Sequence, residues 1–137
     1  MSGRADRDAL IHDWNAYCRR AAELIAVPIP SGHPLLGEAA FRTATGVHAA
    51  AIRKAGEKDA WLAERVYGAV PSSAVGRAQE VLVGPMSGRA NVEHWLALQA
   101  IPANEALIFA LLAYARASDH VLDDQELLGV VQKRDES

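Results

Sequence analysis

The residue whose side chain is best suited to catalysis is His48, one of five histidines in the sequence. It lies in FRTATGVHAAAIRKA, an alanine-rich stretch from Phe41 to Ala55. On a helical period, one face of this stretch carries Phe41, Ala44, His48, Ala51 and Ala55. An imidazole accepts and donates protons near neutral pH. His48 is therefore either a buried histidine bonded within its own fold or an acid/base group presented to another molecule. The local pattern alone favours the structural interpretation.

The other histidines do not combine into a metal site. They are His12, His33, His94 and His120. No two histidines stand four residues apart, the spacing that puts two ligands on one helix face, and no cluster of cysteine or acidic residues completes a ligand set. Asp119, Asp123 and Asp124 resemble part of a calcium loop but lack its alternation and central glycine, so helix capping is the better interpretation. The sequence predicts no metal site formed by this chain alone.

Nucleophilic and phosphate-binding patterns are also incomplete. GPMSG, residues 84–88, lacks the full glycine spacing and the following Lys-Ser/Thr of a phosphate loop, so by itself it indicates a turn. No serine has the surroundings of a nucleophile elbow. Tyr67 precedes a glycine and a proline-containing loop, the ordinary setting of a half-buried tyrosine. Taken alone, these residues indicate a small helical interaction domain.

Composition excludes several classes of function. The chain has 137 residues, a formal net charge of −3 and one cysteine, Cys18. The mild acidity, without a basic stripe, gives no basis for binding nucleic acid. The longest strongly apolar run, Ala106 to Ala115, is far shorter than the roughly 20 residues of a membrane helix. The polar start shows no secretory signal, and one cysteine permits no intrachain disulfide. We therefore expect a cytoplasmic protein that binds neither nucleic acid nor membrane.

Helical periodicity dominates the chain and predicts a mainly α fold, a small multi-helix domain with at most one or two short strands and two subdomains. The predicted divisions are 1–29, an N-terminal helix and connector; 30–99, a first subdomain; and 100–137, a helical second subdomain. The first helix, Asp8–Val27, ends before two prolines. Its apolar face comprises Leu10, Ile11, Trp14, Cys18, Ala21 and Ile25.

Five further helices and one strand are predicted. The helices cover Glu38–Ala55, Lys58–Tyr67, Asn91–Leu98, about 14 residues after Pro102, and the residues from Asp123 to the charged tail. The strand is Glu80–Gly84. Asn91 is the expected cap of its helix, and Asp123 with Glu126 has capping-box spacing. The expected inward residues are Trp61, Leu62 and Val66 in the short helix, and Leu107, Ile108, Leu111, Leu112 and Ala115 in the helix after Pro102.

Three segments in order resemble a known family. They are PLLGEAAFRTATGVHAAAIRKA, VYGAVPSSAVGR and VLVGPMSGRANV, and together they are similar to the post-barrel region of the isopropylmalate, homocitrate and citramalate synthases. The matching positions are Pro34, Gly37, Ala40, Phe41, Gly46, His48, Tyr67, Val75, Gly76, Arg77, Ser87 and Gly88. The resemblance covers about residues 28 to 130, and the ordered set is more specific than any single piece.

The resemblance implies an acyltransferase reaction. Family members condense acetyl-CoA with a 2-oxo acid in a Claisen reaction and then hydrolyse the thioester, in a TIM barrel that binds a divalent metal. The segment similar to this chain reaches over a neighbouring subunit's barrel. By motif position, the resemblance implies that His48 enters that active site as an acid/base residue and that Tyr67 joins it. The metal and acetyl-CoA are expected on the partner barrel, and no cofactor on this chain alone.

The chain also departs from the family. The barrel with its His-X-His metal motif and the C-terminal regulatory domain are missing from the sequence, and Gly46-Val47-His48 is followed by alanine where many members have a polar residue. Two explanations remain, an excised piece of a longer enzyme and a separate small subunit that forms a hetero-oligomer with a TIM-barrel catalytic subunit. The polar ends of the chain favour the small subunit. The alternative functions are a non-catalytic assembly or regulatory module and a free-standing helical binding protein.

Overall fold

The protein is described by a computed structural model that covers residues 2–66, 68 and 70–135, with side chains for 14–66, 68 and 70–134. Within these residues the fold is mainly α, as predicted, and its two strands have two residues each. The helices are α1 (Ser2–Ile25), α2 (Gly46–Gly56), α3 (Ala60–Arg65), α4 (Arg89–Leu98), α5 (Glu105–Ala117) and α6 (Asp124–Asp135). The strands are β1 (Arg42–Thr43) and β2 (Glu80–Val81), and a 3-10 helix covers Ser72–Val75.

The chain divides into two compact units, residues 1–42 with 64–80 and residues 43–63 with 81–137. In the first unit, α1 packs against the 3-10 helix. Arg19 of α1 donates a hydrogen bond to the carbonyl of Leu36, at 3.2 Å, and so holds the connector after α1. Gly76 ends the 3-10 helix with a φ of 68°, a left-handed conformation that favours glycine. The boundaries predicted near residues 29 and 99 stay predictions.

The second unit has its core between α4, α5 and α6. The largest side chains in it that are fully buried are Leu96, Leu111 and Leu127. The Trp95 indole donates to the Asp124 carboxylate at 2.8 Å, which joins α4 to α6. Helix ends are satisfied locally: the Asn104 side chain accepts from Leu107 N at 2.8 Å, so α5 starts with a formed cap. No helix in the described part of the chain is long and apolar enough to cross a bilayer.

Two predictions near the C-terminus are confirmed in detail. Asp123 and Glu126 form the reciprocal capping box, each side chain accepting from the other's backbone N–H at 2.9 Å. In α5 the predicted inward face is correct, since Leu107, Ile108, Leu111 and Ala115 are buried and Leu112 packs against the same core. Both the capping box and the buried face of α5 can be predicted from residues that lie close together in the sequence.

The helix predicted over Glu38–Ala55 is wrong in its first half, because α2 starts at Gly46. Phe41 has a φ of 64°, which ends any continuous helix there. Arg42–Thr43 instead form β1, which pairs with β2 through Glu80 N to Phe41 O and Leu82 N to Thr43 O, at 2.9 and 2.8 Å. Both bonds advance in the same direction, so the pair is parallel. Phe41 and Ala44 consequently do not share a helix face with His48.

Other predictions about buried residues and about one helix cap are wrong. In α3 no residue is buried: Trp61 is 60% exposed and Leu62 38% exposed, so the predicted inward face of this six-residue helix does not form. Ile25, expected on the apolar face of α1, is the last residue of that helix and is 67% exposed. The side chains of Leu10 and Ile11 lie outside the described set. Helix α4 starts at Arg89 with Gly88 as its N-cap, so Asn91 is not the cap.

Candidate functional site

The start of α2 lies directly against the turn that precedes α4. Gly46 N donates to the carbonyl of Met86 at 3.0 Å. A Cβ on Gly46 would lie 2.7 Å from Gly88 N and 3.0 Å from its Cα, so only glycine permits this approach without a shift of backbone. Two glycines that the sequence separates, one in Gly-X-His and one in the Ser-Gly turn, are thus brought together to place the first turn of α2.

Two buried polar side chains fix this contact. Ser87, 6% exposed, donates its hydroxyl hydrogen to the carbonyl of Ala44 at 2.7 Å, and its oxygen accepts from Gly84 N at 2.8 Å. Asn91, fully buried, donates to the carbonyl of Leu82 at 2.8 Å and accepts from Gly88 N at 3.0 Å. Because every one of these bonds ends on backbone, the two side chains define the path of the chain itself.

His48 lies in the first turn of α2 and its side chain is exposed. Its Nδ1 stands 3.5 Å from the Thr43 hydroxyl oxygen, which also accepts from Thr45 N at 3.4 Å. Thr45 is the N-cap residue in extended conformation but makes no side-chain capping bond. The positive end of the helix dipole therefore lies beside the imidazole and favours nearby negative charge.

Two exposed apolar side chains belong to residues next to the Gly46 contact. Val47 is 72% exposed and Met86 is 73% exposed, and Met86 is the residue whose carbonyl holds Gly46. Of the face predicted from spacing, His48 is exposed, Ala51 is half-buried and Ala55 is buried in this unit. Burial on this face therefore increases along α2, from the exposed imidazole to the buried Ala55.

One surface ion pair joins α2 to α4, and it belongs to a larger group of charged side chains. Arg53 of α2 pairs with Glu93 of α4, and Arg89 donates to the same carboxylate at 2.6 Å. Arg89 also pairs with Glu105, whose pKa is lowered by this hydrogen bond. Exposed pairs of this kind each contribute little to stability, but the Arg53–Glu93 pair restrains the helix that carries His48.

A second group of residues that match the family motifs is in contact in the first unit. The Arg77 guanidinium donates to the carbonyls of Gly37 and Glu38, at 2.5 and 3.5 Å, and lies 5.6 Å from the centre of the Phe41 ring. A Cβ on Gly37 would lie 2.2 Å from the Ser31 carbonyl oxygen, so this position also requires glycine. The Val-Gly-Arg segment thus anchors the stretch that leads to β1.

The other candidate residues either lie outside the described part of the chain or have settings of their own. Tyr67 lies outside the described residues, and so does the side chain of His12. Burial lowers the pKa of His94. His120 is bonded on both ring nitrogens, to Asp119 at 2.9 Å and Glu126 at 3.0 Å, and these carboxylates raise its pKa. Among the described side chains no group of three His, Cys, Asp or Glu residues is arranged to hold a metal ion.

Sequence reasoning missed Thr43 and the role of Asn91. Thr43 was expected within a helix, so nothing in the pattern pointed to its hydroxyl lying beside the imidazole. Asn91 was expected as a helix cap, and its short distance in sequence from the Ser-Gly turn is the signal that could have indicated a bond to Gly88 N. The roles of Thr43 and Asn91 both depend on the positions that β1 and the Ser87–Gly88 turn take beside the start of α2.

Comparison with known proteins finds two curated relatives among the citramalate synthases. The chain is 28% identical over 114 residues to a putative (R)-citramalate synthase of Methanosphaerula palustris, a match that covers 81% of this chain and 21% of the relative. It is 33% identical over 75 residues to the (R)-citramalate synthase of Aquifex aeolicus, covering 55% of this chain and 13% of the relative. No protein-family model matches the chain. The resemblance predicted from the ordered motifs is thus confirmed over part of the chain, and it is consistent with a post-barrel region.

Proposed function

We propose that this chain is the small subunit of a split acyltransferase related to citramalate synthase, and that it covers the TIM barrel of a partner subunit. In this proposal the barrel binds acetyl-CoA, a 2-oxo acid and a divalent metal, and this chain supplies His48 and Tyr67 as acid/base residues. The chain covers 21% and 13% of its two curated relatives, a part far smaller than a complete synthase.

The observation that carries the proposal is an exposed imidazole on a helix whose first turn is held in place by a close backbone contact. His48 is exposed at the start of α2, and the contact of Gly46 with Gly88 restrains the backbone two residues away. A group that takes part in chemistry on another polypeptide must be accessible, yet held in a narrow range of positions. The apolar neighbours Val47 and Met86 suit this role, because they would bury against the partner and exclude water from the reaction.

The proposed condensation needs two proton transfers, and hydrolysis of the product thioester by water then releases CoA. A carbon–carbon bond forms between the thioester methyl carbon and the keto carbon of the acceptor, so a proton leaves the methyl group and one reaches the new alkoxide. The His48 imidazole is suited to either transfer. The positive end of α2 would favour the anionic reactants near it, and the Tyr67 hydroxyl would donate a hydrogen bond to developing negative charge. The metal, held by the barrel, would polarise the acceptor carbonyl.

Reconstitution tests this function. The chain is mixed with a barrel-only protein, made by ending a citramalate synthase before its post-barrel region, and CoA release from acetyl-CoA is measured with a panel of 2-oxo acids. Pyruvate comes first in the panel, because adding an acetyl unit to its keto carbon gives citramalate. We expect little CoA release by the barrel alone and acceptor-dependent release on adding this chain. Equal release with and without the chain would reject the proposal.

A second candidate is a non-catalytic module that stabilises the barrel oligomer. The observation that favours it is the exposed apolar surface of α1, where Tyr17 and Leu24 are each 71% exposed, and of α5, where Phe109 is 74% exposed. Leu111 cannot serve this purpose, since it is fully buried in the chain's own core. This candidate predicts that Tyr17→Ser or Phe109→Ser weakens the complex while His48→Ala leaves both complex formation and CoA release unchanged.

A further inference from the structure

The first unit contains a cavity that the proposed function does not use. It lies between α1, the connector after it and the 3-10 helix, and has a volume of 220 Å³. Its lining residues are Trp14, Asn15, Cys18, His33, Leu35, Leu36 and Val75. Voids larger than a water molecule are few in a packed protein, so a space of this size calls for an explanation.

The polar groups on the wall are hydrogen-bond donors. The Nδ1 atom of His33 accepts from the backbone N–H groups of Leu35 and Leu36, at 3.3 and 3.1 Å, so the neutral ring carries its proton on Nε2. The Asn15 side-chain oxygen accepts one hydrogen bond from Arg19 Nε at 3.0 Å, and the amide NH₂ of Asn15 adds two further donors to the wall. Among the lining residues whose side chains the structure describes, none is an acid, a lysine or an arginine, so none of them offers a permanent counter-charge to a carboxylate or an ammonium group.

The volume sets the size of a ligand. An apolar cavity of about 150 Å³ stays dry and binds benzene, so 220 Å³ accommodates one ring with a short substituent. From size, apolar walls and donors together we propose that this cavity binds a small uncharged molecule, a single ring or branched alkyl group bearing one carbonyl that accepts from His33 or Asn15. The proposal does not depend on the acyltransferase function, because it uses no residue of the His48 surface.

Cys18 makes the cavity testable, because it is the one cysteine in the sequence and lies on the wall. The rate of its alkylation by N-ethylmaleimide is followed by mass spectrometry in the full chain, with acetophenone or ethylbenzene as the probe. We expect saturating acetophenone to slow alkylation at least tenfold. Ethylbenzene, which has a similar shape but no acceptor, is expected to protect with about fivefold weaker apparent affinity, the usual effect of one hydrogen bond.

Two variants give the steric test. Leu35→Trp fills the cavity and is expected to abolish protection by acetophenone, whereas Leu24→Trp adds the same bulk to the exposed face of α1 and is expected to leave it unchanged. If Leu35→Trp does not fold, as judged by circular dichroism, the two probes on the unaltered chain still decide the matter. Failure of acetophenone to slow alkylation overturns the binding site, and equal affinity for both probes overturns the proposed ligand class.

Discussion

The close contact of Gly46 with Gly88 predicts that Gly46→Ala destabilises the protein, against the ordinary preference of helices for alanine. A Cβ at this position would lie 2.7 Å from Gly88 N, inside the range that real contacts occupy. The opposing group is backbone, so the relief must come from moving α2 away from the Ser87–Gly88 turn. That movement strains the bonds from Gly46 N to Met86 O and from Ser87 to Ala44 O, at 3.0 and 2.7 Å.

The expected change in the free energy of unfolding combines three contributions. Overpacking costs about 1 to 3 kcal/mol, and each strained hydrogen bond is worth about 1 kcal/mol net. Alanine returns at most about 1 kcal/mol through helix propensity, and less at the first helical position. The expected result is a net loss of roughly 1 to 3 kcal/mol in the free energy of unfolding.

A matched control lies in the same helix. At Gly56, the last residue of α2, a Cβ would meet only the Cβ of Ala63, at 3.7 Å, an ordinary contact. Gly56→Ala is therefore expected to stabilise the protein by up to about 1 kcal/mol. Urea unfolding followed by circular dichroism measures both variants. The reasoning is refuted if Gly46→Ala is as stable as the unaltered chain or gains stability as Gly56→Ala does.

Two further predictions use other parts of the second unit. Asn91→Leu removes both backbone bonds of a fully buried amide, and is expected to cost about 2 to 3 kcal/mol in urea unfolding through the unpaired groups left behind; a loss below 0.5 kcal/mol would contradict this. Asp119 first, and Glu126 second, raise the pKa of His120. Its protonated form therefore stabilises the fold, fully below the ordinary histidine pKa of about 6.5 and no longer once the pH has risen through the raised value. His120→Gln should lower stability at pH 5.5 and match the unaltered chain at pH 9, and a deficit that grows with pH would contradict the assignment.

The helices near the C-terminus could be predicted from sequence because their signals are local. The capping box of Asp123 and Glu126 and the spacing of Leu107, Ile108 and Leu111 each lie within a few turns of one helix. The start of α2 could not be predicted in this way. Its position depends on a left-handed Phe41 and on strand pairing between residues nearly forty positions apart, and nothing in the alanine-rich stretch indicates either.

The candidate site was predictable only in part, for a similar reason. The resemblance singled out His48, Gly46 and the Ser-Gly turn, but residue spacing could not tell whether the imidazole faces inward or outward. Its exposure follows from the contact between Gly46 and a turn about forty residues later, which sets the rotation of α2. The hydrogen bond of Ser87 to Ala44, 43 residues apart, is of the same non-local kind.

The turnover number of the reconstituted complex, measured with His48→Ala at matched occupancy of the barrel, is the most direct test of the role assigned to this chain. Since His48 is exposed, the substitution is expected to leave stability within about 0.5 kcal/mol. General acid–base catalysis contributes about 10²- to 10⁴-fold, so we predict a fall in kcat of at least a hundredfold with unchanged binding to the barrel. A variant that binds the barrel normally and turns over at the rate of the unaltered chain would contradict the account.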